Sequence, residues 1–169
     1  MASPEDFSSF YAGAFPRLVG QLLLVTGELH EAEDVVQEAF ARASVRWARL
    51  RHYDVPEAWV RRVAMNLAAD RLRRSRRQLA ALVRLGPAPP VPPVQPEDLA
   101  LLEALRALPI SHRQVIVLHH LLGMPVEEVA ATLTIPTGTV KTRLARGRRA
   151  LAARLGERVH QQEVRPDNA

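Results

Sequence analysis

Lys141, Thr142, Ala145, Arg146 and Arg149 recur at helical spacing within Thr137–Arg149, Thr-Gly-Thr-Val-Lys-Thr-Arg-Leu-Ala-Arg-Gly-Arg-Arg. At about 100° per residue they share one side, with no acid among them, while Val140, Leu144, Leu151 and Leu155 form a narrow apolar stripe opposite. The chemistry such a face suits is recognition. Small side chains let a helix approach a major groove, hydroxyl and guanidinium groups read base edges, and positive charge meets phosphate. The competing reading is a solvated basic face on an ordinary helix.

A second constellation lies upstream. Arg62, Asn66 and Arg73 line up beside Trp59 on one helical strip, and Arg71, Arg74, Arg76 and Arg77 thicken the charge at its C-terminal end. Water-solvated arginines would explain Arg73 to Arg77, but Asn66 is a poor mid-helix residue that needs another reason to be there. A third group has opposite sign: Asp34, Gln37 and Glu38 project from one side of a helix as a capped, solvated surface or as a docking face for a basic partner. Nothing resembles a catalytic site, with no Gly-rich phosphate loop and no nucleophile–base pair. The chain has no cysteine. His119 and His120 are adjacent and expected to point apart, and neither they nor His112 has an acidic partner at ligand spacing. No metal site and no cofactor are expected.

Charge is sorted along the chain. Residues 1–40 hold one base against seven acids, residues 61–77 seven arginines against Asp70, and residues 137–158 Lys141 and six arginines against Glu157. A surface built for solubility would mix its signs, so this sorting argues for separate binding faces. The formal net charge of +5 points to an anionic partner, nucleic acid before membrane surface. No apolar leader and no run of membrane-spanning length are present, so a soluble cytoplasmic protein is expected. Few aromatics predict a Leu/Val/Ala-rich helical core.

The elements that must position these groups follow from periodicity. A helix is predicted from Asp6 to Leu24, with Pro16 as a possible kink and Thr26-Gly27 as its stop. Another starts near Glu31 and buries Ala32, Val36, Ala39, Phe40 and Ala43. Arg49 to Pro56 breaks the period as a loop, and Glu57 to about Arg77 is helical, with Trp59, Val60, Val63, Ala64 and Leu67 as its core stripe. Six prolines within residues 87–96 exclude helix and central strand and predict a polyproline-type spacer. Four short helices follow: Leu99 to Ala107; Ser111 to Leu122 with Ser111 as N-cap; Val126 to Leu133; and the basic helix capped by Thr137 after a Thr134-Ile135-Pro136 turn. That is a helix-turn-helix with two supporting helices.

In order, Glu31-Ala-Glu-Asp-Val-Val-Gln-Glu-Ala-Phe40, Trp59-Val-Arg-Arg-Val-Ala-Met-Asn66 with Asp70-Arg-Leu-Arg-Arg74, Gly123-Met-Pro-Val-Glu-Glu-Val-Ala130 and Gly138-Thr-Val-Lys-Thr-Arg-Leu144 resemble the extracytoplasmic-function (ECF) sigma factors, the bacterial type with regions two and four only. The resemblance covers about residues 7 to 158. It implies an all-α protein: region two over 1–79, a Pro-rich linker over 80–96, region four over 97–160 and a disordered tail over 161–169.

It further implies that Asp34, Gln37 and Glu38 dock on the beta-prime clamp helices of core RNA polymerase, with the beta flap as a second contact. Arg51, His52, Tyr53, Asp54, Trp59, Arg62, Asn66 and Arg73 would melt and read the −10 promoter element. Thr137, Thr139, Lys141, Thr142, Arg143, Ala145, Arg146, Arg148 and Arg149 would face the −35 duplex, the last two toward phosphate. Promoter DNA and, where one exists, an anti-sigma factor complete the implied partners; no membrane contact and no enzymatic activity are implied. Only His52 and Tyr53 offer rings for stacking in the short loop before Trp59. Two other readings remain open: a stand-alone helix-turn-helix regulator with an N-terminal sensing domain, and an adaptor working through its acidic helix and polyproline segment.

Overall fold

The computed structural model describes the backbone of residues 4–81 and 96–163 and the side chains of residues 6–78 and 99–156. The chain is all-α over that range, with no strand among the described residues. Helices α1 (Pro4–Thr26), α2 (Leu29–Val45), α3 (Trp47–Leu50) and α4 (Pro56–Ala81) form a first unit. Helices α5 (Pro96–Arg106), α6 (Ile110–Ile116), α7 (Val126–Leu133) and α8 (Thr137–Glu163) form a second, with a π-helical turn over Val117–Leu121 continuing α6.

In the first unit α1 packs against α2 and α4, and α2 against α4. Every residue expected on the buried side of α2 is buried, and Val35 joins them. The α1 stop is built as its sequence suggests. Thr26 Oγ1 donates to the Leu22 carbonyl at 3.0 Å and the Gly27 amide to Leu23 O at 2.7 Å. Gly27 takes φ +81°, which a side chain would resist. The core departs from the Leu/Val/Ala expectation at one end. Phe7, Phe10, Tyr11 and Phe15 of α1 close around Phe40 and Trp47, with Phe10 stacked on Trp47 at 4.9 Å and Tyr11 edge-on to Phe40 at 4.9 Å. Scarce aromatics are concentrated rather than diluted, because their i, i+3, i+4 spacing on α1 puts them all on one face.

Several boundaries differ from the sequence reading. The Arg49–Pro56 loop begins later, since Trp47–Leu50 forms a short helical turn that buries Trp47 and Leu50. Helix α4 runs past Arg77 to Ala81, so Ala80 and Ala81 are helical and not linker. Pro96 already opens α5, and residues 82–95 lie outside the described residues. Residues 161–163 continue α8 instead of starting a tail, and 164–169 lie outside the described range. Ser111 does not cap α6: Pro109 holds the cap position and its carbonyl accepts from His112 N at 2.9 Å and Arg113 N at 3.0 Å. Proline suits a site whose own N–H would be orphaned.

The π turn also overturns the expectation that His119 and His120 diverge. Leu122 N bonds to Val117 O at 3.0 Å, an i→i+5 link, and the wider turn brings the two rings edge to face at 4.8 Å. His119 Nδ1 lies 2.7 Å from the Met124 carbonyl, which ties that ring to the chain entering α7. The next turn carries Thr134 in the left-handed region (φ 56°, ψ 48°), an uncommon state for a β-branched residue.

The two units are not held apart. Buried residues from Ala14 to Leu144 form one continuous cluster, and α1 and α4 pack on α5, α6 and α7. At that seam Arg113 Nη1 donates to Val25 O at 2.6 Å and Nη2 to Arg106 O at 2.6 Å and Leu108 O at 3.0 Å. Gln114 Nε2 donates to Met65 O at 2.8 Å, and Arg106 bonds the Gly27 carbonyl. Neither Arg113 nor Gln114 carries a role in the sequence reading.

Candidate nucleic-acid interface and docking face

Helix α8 is seated by its apolar stripe. Val140 and Leu144 are buried, Leu151 and Leu155 half-buried. Gly147 extends that stripe by having no side chain: a Cβ there would stand 2.9 Å from Ile116 Cγ1. The helix cap is Pro136, whose carbonyl accepts from Thr139 N at 3.0 Å and Val140 N at 3.1 Å, so Thr137 lies inside the first turn and is not the expected cap. Lys141, Thr142, Arg146, Arg148 and Arg149 are exposed, with Thr139, Arg143 and Ala145 half-buried beside them. Among the described side chains no ion pair engages Lys141, Arg143, Arg146, Arg148, Arg149 or Arg154. Thr142 Oγ1 donates to Gly138 O at 3.0 Å, which leaves acceptor lone pairs and a methyl group for a base edge.

Between α6 and α8 opens a cleft of about 420 Å³ lined by Ser111, His112, Thr139, Thr142, Arg143 and Arg146. Ser111 and His112 do not belong to the face expected from sequence. The only signal was their place just after Pro109, at the start of a helix packed on α8. Burial, and then Arg143 and Arg146, push the His112 imidazole below its ordinary value, so it is neutral at pH 7 and can pair with either a donor or an acceptor.

The strip predicted beside Trp59 is divided. Arg51, His52, Tyr53 and Asp54 are all exposed in the turn before α4, with Arg51 3.4 Å from Asp6. Tyr53 and Trp59 wall a cleft of about 470 Å³ shared with Val45, Arg46 and Arg49. The Arg46 guanidinium lies 5.7 Å from the Trp59 ring centroid, a cation–π distance. Asn66 opens elsewhere, into a cleft of about 310 Å³ with Glu38, Arg42, Asp70, Arg71 and Arg74. Arg73 is paired with Asp70 at 2.9 Å, and Arg62 donates to Thr134 Oγ1 of the second unit at 3.0 Å.

The acidic face is braced from behind. Asp34 and Gln37 are exposed, as expected. Glu38 is half-buried, held by Arg71 at 2.7 Å and Arg42 at 2.6 Å. Arg71 also reaches Glu31 at 3.5 Å and Asp34 at 3.9 Å. Its hydrogen bond is the main reason the Glu38 carboxyl lies below its ordinary value, and the same bond raises Arg71. Among the described residues no group of three or more His, Cys, Asp or Glu could hold a metal ion, and no helix is long and apolar enough to cross a membrane.

A bundle presenting acids on one helix and arginines on the next, followed by a helix-turn-helix with a free cationic face, defines a two-part helical DNA-binding protein. Family models sharpen that class. Sigma-70 region 2 matches residues 11–78 and Sigma-70, region 4 matches residues 98–151. The chain is 34% identical over 148 residues to the ECF RNA polymerase sigma factor SigW of Bacillus subtilis, covering 76% of this chain and 78% of that protein. Among solved structures it resembles the sigma factor RpoE of Bartonella quintana, crystallised with the anti-sigma factor NepR (TM-score 0.70, 23% identity, 90% of this chain and 98% of that one). It also resembles CnrH in complex with the cytosolic domain of CnrY (TM-score 0.61, 27% identity, 92% and 91%). The chain belongs to the ECF RNA polymerase sigma factors.

Proposed function

We propose that this sigma factor directs core RNA polymerase to two-element promoters, reading a −35 duplex with α8 and opening and reading the −10 element with the surface from Arg51 to Asn66. The observation that carries the reading is the α8 face, where Lys141, Arg143, Arg146, Arg148 and Arg149 pair with no acid among the described side chains while Val140 and Leu144 anchor the helix behind them. Lys141, Thr142, Ala145 and Arg146 take base edges, Arg148 and Arg149 take phosphate, and the Ser111–His112 cleft admits backbone oxygens. A base turned out of the −10 stack fits between Tyr53 and Trp59, with Arg46 and Arg49 on the strand's phosphates. Recruitment runs through Asp34 and Gln37 on the beta-prime clamp helices, with the second unit on the beta flap. The polymerase supplies the chemistry, so the sigma factor needs no cofactor and acts in the cytoplasm. The RpoE–NepR and CnrH–CnrY complexes support an anti-sigma partner for this chain as well.

Run-off transcription with purified core polymerase on a genomic promoter library tests this. The expected result is a discrete set of start sites absent without the chain, sharing two sequence elements. Unaided, dimeric binding to duplex operators with no effect on start sites would replace the reading with a stand-alone regulator.

A further inference from the structure

The cleft between α6 and α8 holds an imidazole without a partner. His112 is half-buried there beside Ser111, Thr139, Thr142, Arg143 and Arg146, and among the described residues its ring makes no hydrogen bond or ion pair. Its root lies close against α8, since a Cβ on Gly147 would stand 3.6 Å from His112 Cβ. His119 differs, because its Nδ1 is engaged by the Met124 carbonyl and its ring by His120. His112 is thus a titratable group aimed into an open, cationic cleft with both ring nitrogens at liberty.

The charges that act on the ring are both positive. Arg143 and Arg146 stand one turn apart on α8, and no acid lines the cleft. Helices α1 and α4 pack on α6 through Arg113, which bonds the Val25 carbonyl, and Gln114, which bonds the Met65 carbonyl, and they bring no charge to the ring. On the π turn that continues α6, His119 and His120 interact with each other, with Met124 and with Arg148. In the free chain, burial and then the two guanidiniums disfavour imidazolium. An oxyanion seated in the cleft reverses that balance, because it offsets the arginine charge and gives a protonated ring an acceptor. Ser111 Oγ supplies a neutral donor on the same wall.

We infer that His112 is a proton-linked phosphate ligand: a phosphodiester of the −35 backbone enters the α6–α8 cleft beside Arg143 and Ser111 and draws one proton from solvent onto the imidazole. The inference rests on the promoter-reading proposal above and leaves Arg146 to the base edge. Phosphate raises the proton affinity of the ring, so the added DNA affinity appears as pH falls through the bound-state value and levels off below the free-state value. Each pH unit of that rise corresponds to about tenfold in affinity. Acidification therefore tightens the grip on the duplex backbone without changing which bases Lys141 and Ala145 face.

The test titrates holoenzyme on a promoter found by run-off, from about pH 8 to about pH 5.5 at fixed ionic strength. Wild type should tighten about three- to tenfold more than His112→Gln across that range. His120 is also held below its ordinary value, by burial, His119 and Arg148, but it is present in both chains, so the difference between them isolates His112. His112→Asn, a second neutral replacement, should match His112→Gln, with helicity and melting temperature as in wild type. Methylphosphonates placed singly along the −35 element each remove one phosphate charge. At one position the wild-type and His112→Gln profiles should become parallel. Parallel profiles on unmodified promoter, or a difference that survives every methylphosphonate, overturns the proton-linked ligand alone. A wild-type holoenzyme that binds no promoter overturns the underlying promoter reading, and the inference about His112 falls with it.

Discussion

The two arginine-rich helices use their charge differently. Every ion pair among the described residues lies between Asp6 and Arg73, and α4 contributes Glu57, Arg61, Asp70, Arg71 and Arg73 to that network. None touches α8. The same side chain is thus a brace in one unit and, in the proposed reading, a ligand-binding group in the other. Local composition does not separate the cases; the presence of an acidic helix alongside does. Because α2 packs on α4, its carboxylates fall within reach of Arg71, whereas α8 packs on α6 through apolar residues and Gly147.

The sharpest way to break this contrast is at Glu38. Glu38→Arg places a cation against Arg42 and Arg71 and should cost about 1–3 kcal/mol of stability as well as core-polymerase association. Asp34→Arg, at an exposed site, should reduce association at least tenfold with an unchanged melting temperature. Calorimetry and a pull-down with core polymerase separate the two, and identical behaviour would erase the distinction between brace and docking group. On α8, Gly147→Ala should lose about 1–3 kcal/mol by driving a methyl onto Ile116, seen as a lower melting temperature of the purified chain.

Arg146→Ala should then weaken holoenzyme binding by roughly 1–3 kcal/mol with relaxed preference at one upstream position. Arg149→Ala should instead lower the log–log salt slope by about 0.9 on every sequence. Titrations of holoenzyme on a base-substituted promoter set distinguish the pair. The smallest expected effect is acidic. Glu38 lies below its ordinary value of 4.5 in the folded chain, so its contribution to stability is present above pH 4.5 and is lost as pH falls through the folded value. Arg71→Gln should flatten that acid limb, measured by denaturant titration from about pH 6 to about pH 3.

Periodicity made the element types, the buried stripes of α2 and α8 and the exposed face of α8 legible in the sequence. What it missed depends on contacts between distant segments. Glu38 reads as a solvated or docking acid until α4 is laid beside it. Arg113 and Gln114 draw no expectation from the sequence, because arginine and glutamine are seldom buried, and only the carbonyls at the end of α1 and on α4 make their burial tolerable. The π turn left no periodic trace, since one extra residue per turn mimics ordinary helix over so short a span. Arg46 and Arg49 escaped notice because their partners in the cleft, Tyr53 and Trp59, are brought round by a turn of irregular backbone.

The hydrogen atom that stands for a side chain at Gly147 separates two kinds of sequence change. It lets α8 lie close against Ile116 of α6, and in the proposed reading that seating sets how deep α8 would enter a groove. Lys141, Thr142, Ala145 and Arg146 project from the other side of that helix. In the proposed reading, substitutions among them would alter which letters are read without moving the reading head, so target preference could drift while the frame that carries it stays fixed.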